Sequence, residues 1–383
     1  MRSAREAFED GQDFTIAVEE EFMLLDSETL ELTNRFEELK TAAAGSELDE
    51  HVVGELIASE IEIKTGRCAT FPEVAELMAV RRAQLAELAD RFDVALACTG
   101  THPWSRWQDQ RIIDTPHYRR NNEILQYVVW RNNSFGVHAH IGIRGADRAI
   151  AVCNAFRNVL PELLALSASS PFVEDAVTGL HSARTEIFTK MFPRCGIPDV
   201  YAGWAEFEQY VRFLYDTRSI DEHTQLWWSV RPHHSFGTVE VRICDAQTRG
   251  DDSFALAGLI AACIAQTALD FDEHGYDGKG TPLADREIEE NLWRAIRYGA
   301  GGRMIDWHRG EEVPTRSLLE QVVVWTEPAR TQLGIDVTLP ERNGAQRARE
   351  ALDSGVSIED IYRDAVAETR RTYAGAGHAS ERA

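Results

Sequence analysis

The segment Phe14–Asp26 reads FTIAVEEEFMLLD, and its three consecutive glutamates decide the fold. The flanking residues are apolar and suited to a strand. Side chains on a strand alternate between faces. Phe14, Ile16, Val18, Glu20 and Phe22 share one face; Thr15, Ala17, Glu19, Glu21 and Met23 share the other. Glu19 and Glu21 therefore point together beside small residues. Glu20 points into apolar company, where a carboxylate needs its own cation or hydrogen bonds. Two readings fit the pair: a solvated face of an edge strand, or two carboxylates aimed at a divalent cation.

Three other segments repeat the pattern. GELIASEIEIKTG (Gly54–Gly66) puts Ile61 and Ile63 on one face and Glu60, Glu62 and Lys64 on the other, with Glu55 in the preceding turn. NSFGVHAHIGIR (Asn133–Arg144) sends His138 and His140 one way and Val137, Ala139, Ile141 and Ile143 the other. RPHHSFGTVEVRICDAQT (Arg231–Thr248) sets Val239, Val241 and Ile243 against Thr238, Glu240, Arg242 and Cys244. Each face alone is equally a solvated sheet surface. Together they offer carboxylates and imidazole, a donor set suited to Mg²⁺ or Mn²⁺. No cysteine cluster points to zinc, and no glycine-rich phosphate loop is visible.

The 383 residues include 63 Asp and Glu against 40 Lys and Arg, a formal net charge of -23. Nucleic acid and anionic membrane both need clustered cations, so neither is an expected partner. Six scattered cysteines read as free thiols, and the first residues carry no apolar targeting stretch. The expected location is the cytoplasm. The apolar run Phe254–Ala265 is too short for a bilayer and reads as a buried helix. Extended segments are expected at 14–25, 60–64, 93–99, 134–144 and 237–245. Helices are expected at 72–92, 146–168, 203–218, 251–272, 285–299, 314–332 and 357–371. Thr70 and Pro72 suit a helix start, and Pro161 should restart its helix. Their irregular alternation predicts an α+β fold, a mainly antiparallel sheet with helices on one side. One catalytic domain is expected over 1–372, with a disordered tail at 373–383. The helix segment ENLWRAIRYGAGGRMID places Arg294, Arg297 and Tyr298 close together, either exposed or at an anion site.

The stretches VEEEF, ELIASEIEIKTG, TGTHPWSRW, FGVHAHIGI, LPELLALSASSPF, LWWSVRPHHSFGTVEVRICDAQT and ENLWRAIRYG occur in one order over residues 14–306. Together they resemble the glutamate–cysteine ligase type 2 family of ATP-dependent carboxylate–amine ligases. The resemblance implies a glutamine-synthetase-like curved sheet holding Mg²⁺, ATP and an amino acid. It implies Glu19, Glu21, Glu62, His138 and Glu240 as metal ligands, and Arg242 as a phosphate contact. It implies Glu55 as a metal or amine-site acid. The reacting amine must lose a proton to a nearby carboxylate, and Glu55 or Glu60 is expected as that base. Arg231, Arg294, Arg297 and Tyr298 are implied for nucleotide phosphate or substrate carboxylates. It also implies a homo-oligomer. Glu60 stands where glutamine is common in the family, and Ser229 where an acid is expected, so the amine acceptor is open. A guanidino kinase on the same sheet, a metal-dependent amidohydrolase and a non-catalytic metal-binding subunit are the other readings.

Overall fold

The computed structural model describes residues 2–276 and 280–374. Most of the tail expected to be disordered lies outside the described residues; Tyr373 and Ala374 close the last helix, Ile358–Ala374. The central sheet has seven strands: β1 (Ile16–Asp26), β2 (Val52–Val53), β3 (Glu60–Lys64), β4 (Val94–Ala97), β5 (Val137–Gly142), β6 (Val230–His233) and β7 (Thr238–Val241). Their order is β6-β7-β5-β1-β3-β2, with β4 pairing the distal half of β1. Every pairing is antiparallel. The protein is thus α+β with a mainly antiparallel sheet.

β1 has eleven residues because it serves two cores in succession. Ile16 and Val18 pack with Val137, Ala139, Ile141, Val239 and Val241 against the helices Ala146–Phe156, Leu160–Ser167 and Gly250–His274. Phe22 to Leu25 enter a second apolar cluster with Ile61, Ile63, Val94 and Leu96. Burying each such aliphatic side chain stabilises the fold by roughly 1.5–3 kcal/mol. The helix Gly250–His274 outgrows the apolar run read from sequence. It and Ala146–Ser167 are long and apolar enough to cross a membrane, yet both are mostly buried inside the protein. Thr70 caps Phe71–Asp90 by accepting from the Glu73 N–H. Pro161 restarts the helix after a single 3-10 turn, as its missing N–H requires.

The segment 231–248 departs from the expected single strand. It is a hairpin, with β6 and β7 joined by residues 234–237. Gly237 sits at φ +62°, and a Cβ there would meet the Ala7 carbonyl at 2.3 Å, so glycine is required. Past Val241 alternation stops, and Ile243 and Cys244 both enter the core rather than opposite faces. All six cysteines are free thiols.

Candidate active site

The strand register assembles the open face of the sheet. Glu19 pairs with His138 on β5 and with Lys64 on β3. Glu21 pairs with Glu62, and Glu240 with His140. All six acids and imidazoles, with Lys64, Glu55, Glu60, Arg184, Arg231, His233 and Arg242, line a cavity of about 440 Å³. A cavity of about 520 Å³ lies elsewhere, beneath the last helix. Its arginines Arg249 and Arg347 pair with Glu368 and Asp252, whereas the smaller cavity holds the clustered acids and imidazoles.

His138 Nδ1 lies 3.5 Å from Glu19 and its Nε2 lies 3.7 Å from Glu21. His140 Nε2 lies 3.5 Å from Glu19 and 3.9 Å from Glu240. Lys64 Nζ reaches Glu19 at 3.1 Å and Glu62 at 3.0 Å. Two sets bring their donor atoms within 4.8 Å of one another: Glu19, Glu62 and His138, and Glu19, His140 and Glu240. Glu21 belongs to neither set. The Gly136 N–H donates to its Oε2, holding it to one side.

Proton affinities divide these acids. Burial alone would push Glu19 up, but His140, His138 and Lys64 beside it outweigh it and hold Glu19 well below its usual value. Glu240 is also held well below, because Arg231 and Arg242 outweigh its burial. The others go the other way. Burial, aggravated by neighbouring carboxylates, pushes Glu60 and Glu62 well up and Glu55 to about 7. Burial also raises Glu21 despite Arg184 and the Gly136 N–H. His138 is driven down to about 4 by burial and by Arg242. The cavity thus has a deficit of positive charge around Glu21, Glu55, Glu60 and Glu62.

Those observations test whether a divalent cation fits. His140 Nε2 is buried without a hydrogen-bond partner and faces two carboxylates. The donors are carboxylate oxygen and imidazole nitrogen with no thiolate, as Mg²⁺ or Mn²⁺ prefers. The residues fit.

Arg231 lines the cavity with its donors engaged. Its Nε and Nη2 donate to Glu240 at 2.7 and 3.2 Å, and its Nη1 donates to the Thr224 and Leu226 carbonyls. These bonds clamp Glu240. Arg242 also donates to Glu240, at 2.5 Å, but its buried Nε has no partner. Arg294, Arg297 and Tyr298 are not brought to this cavity. Arg294 pairs with Glu290 and Glu312, and Arg297 donates to the Gly179 carbonyl over the Tyr298 ring. Sequence reasoning missed Arg184. It reaches the cavity from the helix Ala183–Met191, a segment without a strand's alternation to reveal it.

Glu20 has the partner it needs. On the opposite face Arg82, 1% exposed, holds both its oxygens, with Nε at 2.9 Å, and Ser253 Oγ donates to it as well.

The family described as glutamate–cysteine ligase family 2 matches residues 15–380. The match runs past residue 306, where the motif resemblance ends. A relative from Sorangium cellulosum is 39% identical over 91% of both chains, and one from Herpetosiphon aurantiacus is 37% identical over 93% of both. Both bear the name glutamate–cysteine ligase 2 provisionally. A glutamate–cysteine ligase from Francisella tularensis, solved in complex with AMP, superimposes with TM-score 0.62 at 13% identity, covering 97% of this chain and 94% of its own. A bifunctional glutathione synthetase from Pasteurella multocida gives TM-score 0.64 at 14% identity, covering 99% of this chain and 54% of its own. These two share the fold. With a family match across nearly its whole length, the chain belongs to glutamate–cysteine ligase family 2 and is an ATP-dependent carboxylate–amine ligase.

Proposed function

We propose that the protein joins the γ-carboxylate of glutamate to an amine, converting ATP to ADP and phosphate through an acyl phosphate. The observation that carries this reading is the pair of carboxylate–imidazole sets sharing Glu19 on one sheet face. A free carboxylate is a poor acyl donor, because its oxygen leaves badly. Phosphorylation supplies a good leaving group, and an amine then displaces phosphate. Such transfer relies on positioning and charge stabilisation more than on a protein nucleophile.

Glu19, Glu62 and His138 would hold one divalent cation, and Glu19, His140 and Glu240 another. When bound, these cations supply charge neutralisation at the phosphates and the substrate carboxylate. Arg242 lines the cavity and is kept in place by Glu240, and its guanidinium can offset charge developing on the phosphoryl oxygens. Glu55 or Glu60 takes the proton that the ammonium must lose. A carboxylate pushed to about 7, as Glu55 is, suits a base at neutral pH.

The test is turnover with Mg²⁺, ATP, glutamate and a panel of amines, with products read by mass. The expected products are ADP, free phosphate and a γ-glutamyl amide. A stable phosphorylated product without free phosphate would instead indicate a guanidino kinase. No nucleotide consumption across the panel would end the ligase reading. Glu62→Gln should lower turnover at least about 100-fold. It should leave the fold intact, because glutamine resembles the protonated acid that burial favours there.

A further inference from the structure

The cavity carries one aromatic side chain whose exposure the fold does not explain. Phe236, in the β6–β7 turn, lines the cavity and is 60% exposed. One ring face rests on His233, with centroids 4.3 Å apart and planes 10° from parallel. His233 in turn meets His140 at 5.2 Å, and Phe236 meets His140 at 5.8 Å. The ring is thus braced from beneath while its other face is open. Other cavity aromatics are committed. Trp227 carries Arg194 over its ring and Phe192 against its edge. Tyr118 donates its hydroxyl to the Gly54 carbonyl.

The same end of the cavity holds a hydrogen-bonding group in reserve. Thr224 lines it, and its buried Oγ1 has no partner. Its carbonyl accepts from Arg231, two residues before His233, which ties it to the hairpin. The charged end is adjacent, because His140 and Glu240 form the candidate cation set on this side. A braced aromatic face, a spare polar group and a cation set in succession match a planar base, its edge and its phosphates.

We infer that Phe236, braced by His233, is the stacking platform for the purine base of the nucleotide, with Thr224 Oγ1 available to the base edge. This inference rests on the ligase reading but is separable from it. It places the nucleotide's length across β6, β7 and β5, and leaves the Glu55–Glu60–Glu62 side for glutamate and the amine.

Calorimetric titration with Mg²⁺ decides the matter, comparing a non-hydrolysable ATP analogue with inorganic tripolyphosphate, which has the charge but no base. Phe236→Ala should weaken the nucleotide about tenfold or more, the effect of losing one aromatic–base stack. It should leave tripolyphosphate affinity in place. Phe236→Trp should restore nucleotide affinity, and Thr224→Val should lower it by a smaller factor. Unchanged nucleotide affinity in Phe236→Ala overturns the inference. So does an equal loss of both ligands, or weakening of the amine alone. If the wild type consumes ATP while Phe236→Ala binds it normally, only this inference falls. A wild type that binds neither ligand removes the ligase reading itself.

Discussion

The two faces of β1 treat the same residue type in opposite ways. On the core face, Glu20 meets a buried arginine and a serine hydroxyl, and every charge has its complement inside the chain. On the open face, Glu19 and Glu21 join Glu55, Glu60 and Glu62, with Lys64 as a shared cation and with Arg231 and Arg242 drawn to Glu240. Three residues of one strand thus separate a charge paired within the core from charges gathered at a cavity. A carboxylate that the fold needs is neutralised by the fold. On the open face the carboxylates outnumber their cations, and burial with mutual repulsion raises the proton affinity of Glu55, Glu60 and Glu62.

The largest break in this contrast should come from Arg82→Leu. It strands Glu20 as a buried charge without its main partner, a change that typically costs about 3–5 kcal/mol. Thermal unfolding should show a large drop in Tm. Glu62→Gln on the other face should leave Tm equal or higher without divalent cation, since it removes repulsion. If both variants lose stability alike, the two faces do not differ as described.

A smaller effect is expected from pH and metal together. Glu55 has its affinity for protons raised from 4.5 to about 7 in the fold, so the folded state binds more protons than the unfolded. Its contribution is fully present below pH 4.5 and is lost as pH rises towards 7. Without divalent cation, stability should therefore fall across that window. Mg²⁺ at 100 times its dissociation constant should add about 3 kcal/mol. The gain should be larger at pH 8 than at pH 5, because protons compete for the same carboxylates. Glu162, pushed to about 7 by burial outside this cavity, should give a similar fall that Mg²⁺ does not alter. Glu162→Gln should remove that part alone. An Mg²⁺ gain independent of pH would show that the raised carboxylates are not where the ion binds.

The smallest effect should come from Arg294→Ala. Its partners Glu290 and Glu312 are exposed, and such pairs contribute about 0–1 kcal/mol. Tm should barely move, and nucleotide affinity should match the wild type. A marked loss of nucleotide affinity would bring this helix back into the site.

What was legible in the sequence follows from periodicity. Alternation sorted Glu19 and Glu21 from Glu20, and placed His138 with His140, because backbone geometry alone decides which way a strand side chain points. It could not show register. Pairing β6 with β7 sets Arg231, read as an anion ligand, opposite Glu240, to which it donates. Nor could it show contacts across layers. Arg82 is an ordinary position on an amphipathic helix until Phe71–Asp90 packs beneath β1, and Arg184 looks like a surface cation until its helix closes on the cavity. The family motifs carried both the acids and imidazoles of the open face and the trio Arg294, Arg297 and Tyr298; the fold gathers the former round one cavity and leaves the latter outside its lining.

Glu19 belongs to both candidate cation sets, and one carboxylate cannot answer to two ions independently. Occupying one set must change the affinity of the other, by equal amounts in both directions. Saturation with Mg²⁺ should therefore depart from a simple hyperbola, and Glu19→Gln should alter both binding steps at once. At the scale of the reaction, the side holding nucleotide and the side holding the acid and amine would sense each other through a single residue, the first of the three glutamates in β1.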